Sequence, residues 1–303
     1  LTLDELTRIA DEAVRRSDRV ALREAIAKGE RLLRSLEASE RTQLEARLLH
    51  WKGFEFYFTA HYDRALGLFT QALDRYAEAG ETARVARATT NVGACYQFVG
   101  DFTKALELMR RSHDLYRSLN DRSGMATASN NIANLYLMNG DYDAALAAYT
   151  ESLAVHRELN ERDGIARATG NIGNLYKETG AFENALKFYE ESLRLYDELD
   201  DPAGVGRITG NIGGCYFAMN DYTIAFEHFN RSERIHEELG DRLRVARMRS
   251  NIGGVYSNMG EPESALRLSL DALAIHEEIG DTYGIAHLTG IIGDTYADLS
   301  QHD

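Results

Sequence analysis

Proline is nearly missing, at two residues in 303. It removes a backbone donor and clashes with the preceding helical turn, so its scarcity favours long uninterrupted helices. Cysteine also occurs only twice. Cys95 and Cys215 lie three 40-residue periods apart. Layers stacked about 10 Å apart would put them far beyond the ~7 Å reach of a disulfide. Both therefore read as small buried hydrophobes in a reducing compartment, and the expected location is the cytoplasm. No apolar run approaches the roughly 18 residues that span a bilayer. The opening LTLDELTRIADEAVRRSDR lacks the basic-then-apolar order of a signal peptide. It begins at Leu1 rather than Met, which reads as a piece excised from a longer chain. Basic residues are in deficit, 34 against 48 acidic, for a net charge of −14. A polyanion repels phosphate backbones and anionic headgroups, which argues against nucleic acid or a membrane as partner.

What is present is a repeat. Asn91-Val92-Gly93, Asn131-Ile132-Ala133, Asn171-Ile172-Gly173, Asn211-Ile212-Gly213 and Asn251-Ile252-Gly253 follow one another at 40-residue steps. Trp51-Lys52-Gly53 precedes them and Ile291-Ile292-Gly293 follows. Five residues after each Asn stands Tyr96, Tyr136, Tyr176, Tyr216 or Tyr256, and then Gly100-Asp101, Gly140-Asp141, Gly180-Ala181, Asn220-Asp221 or Gly260-Glu261. Ala-Leu pairs recur at 65-66, 105-106, 145-146, 185-186 and 265-266.

Spacing inside the unit is that of two helices. Val85, Ala88, Val92, Cys95 and Tyr96 mark one face of a first helix from about Thr82 to Phe98. Gly100 stands where a helix needs positive φ to end, and Asp101 supplies a carboxylate to the amides that open the next helix. Ala105, Leu106, Met109, Leu115 and Tyr116 mark the buried face of the second. Asn120, Asn160, Asp200, Gly240 and Gly280 tolerate the left-handed conformation that closes it. Gly93 and its equivalents sit mid-helix at a cost of about 1 kcal/mol each, so the two helices are expected to approach closely there. The register gives repeats at 41–80, 81–120, 121–160, 161–200, 201–240 and 241–280, a degenerate pair at 1–40 and a half repeat at 281–303. A pair cannot bury its apolar face alone, so the expectation is one solenoid over 1–303.

The pattern Gly93, Tyr96, Gly100, Ala105, with Met109 behind it, resembles the tetratricopeptide (TPR) signature, and the match covers 41–303. Units of 40 rather than 34 residues are similar to those of Pins/LGN-type adaptors and of TPR arrays in bacterial signalling proteins. The resemblance implies an all-α, right-handed superhelix of antiparallel helix pairs whose concave wall is lined by first helices. It also implies a function in binding proteins or peptides.

A stripe on the first helices is left over from the core. It carries Asn91, Asn131, Asn171, Asn211 and Asn251, with Arg87, Arg167, Arg207 and Arg247 four residues earlier and Asn134 and Asn174 three later. A carboxamide donates and accepts, so a row of them suits the backbone of an extended peptide. Guanidiniums select acidic side chains. The resemblance to Pins/LGN-type adaptors and to the TPR region of O-GlcNAc transferase points the same way. Other roles stand open: each Asn bridging adjacent first helices, each Arg pairing with a neighbouring acid, and Phe98 and Met138 packing in the core rather than facing a ligand.

His156, His236 and His276 align with Tyr76, Tyr116 and Tyr196 and read as structural. Glu190-Glu191, Glu237-Glu238 and Glu277-Glu278 read as a solvated face. No phosphate loop, nucleophile elbow or Cys-His pair occurs, so no catalytic residue, cofactor or metal is expected. The leading expectation is a scaffold that binds an extended acidic polypeptide. Two alternatives are a regulatory TPR domain of a larger signalling enzyme, such as a nucleotide cyclase or kinase, and a receptor for a short signalling peptide. The terminal half repeat could promote self-association.

Overall fold

The computed structural model describes residues 2–302, and the side chains of residues 39, 283, 294 and 297–302 fall outside that description. The described residues form fifteen α-helices and no strand. They group into two compact units, Leu1–Gly164 and Ile165–Asp303.

The first unit holds α1 (Leu3–Arg15), α2 (Arg19–Leu32), α3 (Ala38–Tyr57), α4 (Tyr62–Glu78), α5 (Thr82–Val99), α6 (Phe102–Ser118), α7 (Arg122–Met138) and α8 (Tyr142–Glu158). α9 (Arg162–Glu178) begins three residues before the second unit. That unit continues with α10 (Phe182–Glu198), α11 (Pro202–Ala218), α12 (Tyr222–Glu238), α13 (Arg242–Asn258), α14 (Pro262–Ile279) and α15 (Thr282–His302). From α3 onward the connections are only two to four residues. Connections that short make successive helices antiparallel neighbours, which is the helix-pair architecture of an α-solenoid.

The turns follow the expected chemistry. Gly100 has φ +92°, and Asn120, Asn160 and Asp200 take φ +55°, +56° and +52°. The next residue has two jobs. The Asp121 amide donates to the Tyr116 carbonyl, closing α6, while the Asp121 carboxylate accepts from the Gly124 amide, opening α7. Asp101, Asp141, Asp201, Asp221 and Asp241 cap their helices in the same way.

Packing within a pair depends on the mid-helix glycines. A Cβ at Gly173 would lie 2.7 Å from the Tyr189 ring, and one at Gly93 3.2 Å from Leu108 and Met109. The close approach expected there is present. Val85, Ala88, Val92, Cys95, Ala105 and Met109 are buried, while Tyr96, Leu106, Leu115 and Tyr116 are partly so. Leu108 is buried as well, an addition to the face read from the sequence. A serine row, absent from that reading, joins the helices of four successive pairs. Ser112 Oγ donates to Ala86 O at 2.9 Å, and Ser152, Ser192 and Ser232 donate to Ala126, Ala166 and Gly206 at 2.7 Å each. Each such bond contributes about 1 kcal/mol net. Both thiols are free and buried, and burial pushes Cys95 up to about 12 and Cys215 up to about 11, so neither is a reactive thiolate.

The N-terminal pair belongs to the first unit's core. Leu6, Ala10, Leu22 and Ala25 pack with Leu44, Leu48 and Trp51 of α3. No helix among the described residues is long and apolar enough to cross a membrane.

Candidate ligand-binding face

The stripe of Asn and Arg residues lies where the helix period puts it, half-buried between the core and solvent except for the exposed Arg247 and Asn251. Its members have different partners. In the first unit, Asn91 Nδ2 lies 2.6 Å from His50 Nε2, which bridges first helices α5 and α3. An amide nitrogen only donates, so His50 Nε2 accepts and the imidazole is neutral. Complete burial, and then Arg87 and Arg84, push the pKa of His50 well below its usual value, in agreement. Arg87 is held in-chain too, 2.9 Å from Asp11 of α1. Asp11 also accepts from Trp51 Nε1 at 3.3 Å, so one carboxylate ties α1 to α3 and α5. Asn131 is half-buried, and its side chain has no hydrogen bond among the described residues. Asn134 Oδ1 accepts from the buried Tyr149 hydroxyl at 2.5 Å.

In the second unit, Asn174 Oδ1 accepts twice, from Tyr189 Oη at 2.6 Å and from Asn211 Nδ2 at 2.9 Å. Asn211 thereby links α11 to α9. Arg167 and Asn171 are half-buried on α9. Arg207 lies over the Tyr196 ring and donates to its hydroxyl at 2.7 Å, a neutral partner. Arg247 and Asn251 are exposed on α13. Neither has a bonded partner among the described residues.

The inter-helix bridging role is therefore real for Asn91 and Asn211, and in-chain ion pairing is real for Arg87. Phe98 and Met138 are exposed rather than core, at 49 % and 51 %. Phe98 stacks on Tyr62 with centroids 4.3 Å apart.

Four of the stripe residues come together. A cavity of about 390 Å³ opens in the second unit, and Arg207, Asn211, Arg247 and Asn251 line it. Sequence reasoning missed the remainder of its wall. Ser232 and His236 come from α12, Arg244 and Met248 from α13, and His276 from α14, with Asp281, His287 and Leu288 at the last connection and α15. One signal was available. Arg244 occupies the register position of Gly124, Gly164, Gly204 and Gly284, so a large cation replaces a hydrogen atom.

Burial favours the neutral form of the two buried histidines in this wall, His236 and His276. Burial and then Arg244 push His236 down to about 4, with Asp241 opposing. Burial lowers His276 as well, against the pull of Asp281, whose Oδ2 is 3.0 Å from His276 Nδ1. Uncompensated positive charge in the cavity comes from Arg207 and Arg247, while the third arginine, Arg244, pairs with Asp241 at 3.3 Å. Guanidiniums and carboxamides so placed can pair with anionic groups and backbone amides. Among the described residues no three His, Cys, Asp or Glu side chains are placed to hold a metal ion together.

Comparison with known proteins places this geometry in context. A family model described as Tetratricopeptide repeat matches residues 44–118, 124–198 and 204–278, two helix pairs in each block. Among solved structures, BtubC (BKLC) from P. vanneervenii is 22 % identical, aligns over 73 % of this chain and 91 % of its own, and has a TM-score of 0.56. A Rap protein complexed with Competence and Sporulation Factor is 14 % identical over 92 % of this chain and 81 % of its own, at a TM-score of 0.66. A signal transduction ATPase (STAND) protein with a tetratricopeptide repeat sensor, from Pyrococcus horikoshii, is 14 % identical over 92 % of this chain but 43 % of its own, at 0.65. At these identities the likeness is one of fold. A search of curated proteins gives no match.

Proposed function

The chain belongs to the tetratricopeptide-repeat family, and we propose that it is an interaction scaffold whose second unit holds an extended, acidic polypeptide segment against its first helices. The observation that carries this reading is the convergence of Arg207, Asn211, Arg247 and Asn251 on one cavity. Two guanidiniums without a carboxylate partner, in a chain of net charge −14, form a local attractor for acidic side chains. Asn251 then serves the ligand's backbone. Asn91 and Arg87 drop out of the proposed site, because His50 and Asp11 engage them.

The Rap structure supports the reading by analogy, since its protein is described in complex with a factor. The tetratricopeptide repeat sensor of the STAND protein supports a second form of the same reading, in which the bound segment is an input to a larger signalling protein. Selection from a random 12-residue peptide library tests the common core. Enrichment of Asp and Glu among binders is expected, with at least tenfold weaker binding by the Arg247→Gln/Asn251→Ala variant at unchanged helicity. Enrichment of basic or purely apolar peptides would sink the proposal.

A further inference from the structure

Helix α13 departs from the repeat in one direction. Arg244 stands where Gly124, Gly164, Gly204 and Gly284 stand in other layers, as Arg84 does in one more, and Arg249 replaces Thr89, Ser129, Thr169 and Thr209. With Arg242 and Arg247, the helix carries four arginines in eight residues of an acidic chain. Three of them are neutralised. Arg242 pairs with Glu278, Arg249 with Glu233 and Glu237 at 2.7 and 2.9 Å, and Arg244 with Asp241 at 3.3 Å. Arg247 has no carboxylate among the described residues, and Arg207, one layer back, has only the Tyr196 phenol. Both uncompensated guanidiniums line the same cavity, together with Arg244.

We propose that this cavity is a binding site for a phosphomonoester, with the phosphate held by Arg207, Arg244 and Arg247. Donor count sets the class. Three guanidinium forks offer more N–H groups than the two oxygens of a carboxylate can accept, whereas a phosphate monoester brings three acceptor oxygens and close to two charges. Further donors stand in the wall. Ser250 and Asn251 line it, and the buried His236, 1 % exposed, has an Nδ1 without a hydrogen-bond partner that donates in its Nδ1–H tautomer. Asp281 is the one acid lining the cavity, and it lies against His276. A volume near 390 Å³ is within the roughly 300–1,000 Å³ of small-molecule sites. That is more than a bare phosphate fills, and Met248 and Leu288 give an organic moiety apolar contact.

Such a group has two sources, a free phosphate ester or a phosphorylated side chain of a partner, and titration separates them. This site goes beyond the scaffold reading and does not rest on it, because the assay needs no polypeptide and Arg244 is off the Asn/Arg stripe.

Isothermal titration would use inorganic phosphate, O-phosphoserine, glutamate and a phosphoserine peptide with neutral flanks. The proteins would be wild type, Arg247→Gln, Arg244→Gly and the control Arg249→Gln. O-phosphoserine or the phosphopeptide is expected to bind wild type at least tenfold tighter than glutamate does. Binding should weaken at least tenfold in the first two variants and stay unchanged in the control. Direct binding of O-phosphoserine assigns a free ester, while binding confined to the phosphopeptide assigns a modified partner. Arg244→Gly restores the residue of neighbouring layers, and Arg247→Gln is a surface change that decides the matter if the glycine variant loses helicity. No heat from any phosphorylated probe, equal affinity for glutamate, or undiminished binding in the folded variants would overturn the site. Acidic unphosphorylated peptides test the scaffold reading separately, so either can fail alone.

Discussion

Single positions decide whether the helices of a pair can touch, and the same substitution has opposite signs at two of them. Gly173→Ala places a methyl 2.7 Å from the Tyr189 ring and is expected to destabilise the chain by about 1–3 kcal/mol through overpacking. Gly67 is exposed mid-helix on α4 with nothing within 4 Å, so Gly67→Ala should stabilise by roughly 1 kcal/mol. Urea denaturation of both variants checks the pair of signs. His236 gives a pH dependence. Its folded pKa is depressed from 6.5 to about 4, so the stability that comes from burying it neutral is complete above 6.5 and is lost as pH falls toward 4. The loss is on the order of 3 kcal/mol. His236→Tyr installs the residue found at Tyr76, which faces Arg84 across 5.8 Å, and Arg84 holds the register position of Arg244. This variant should lose less stability between pH 7 and 4.5 than wild type, and identical pH profiles would refute the assignment. At this scale the sequence was only partly legible. The glycine contacts could be read from recurrence alone. The pairing of Arg87 with Asp11 could not, because it spans 76 residues and two different repeats. A ladder of identical asparagines likewise gave no sign that Asn91 would meet His50 while Asn251 met solvent. The difference comes from non-repeating neighbours.

Helices were the most legible level, because local chemistry sets their ends. Expected and observed bounds of α5 differ by one residue, Phe98 against Val99. The exceptions to capping make a prediction. α10 opens at Ala181 with φ −84° and ψ 63° and no side-chain cap bond, whereas α8 opens at Asp141 with φ −85° and ψ 73° and a capped Ala144 amide. Ala181→Asp should therefore add a cap and stabilise the chain by about 1 kcal/mol, read as a higher urea midpoint at unchanged m-value. Asp141→Ala should cost a similar amount. What the element level concealed was the cavity. Its wall draws on five helices, and the feature that distinguishes it, an arginine-rich α13, shows in the sequence only as deviation from a pattern.

Charge is the property of the whole molecule that frames the function. An excess of fourteen acids keeps the surface repulsive to other anions, and most described arginines near the cavity have their own carboxylates. Leaving Arg207 and Arg247 without one puts two uncompensated positive charges on the wall of one cavity, the basis of the proposed acidic preference. Charge reversal tests this claim most directly, by fluorescence anisotropy of matched acidic and basic 12-residue peptides on wild type and on Arg207→Glu/Arg247→Glu. Wild type is expected to bind the acidic peptide at least tenfold tighter than the basic one, and the reversed variant to invert that preference at unchanged helicity. Retention of the acidic preference by the folded, reversed variant would contradict the account.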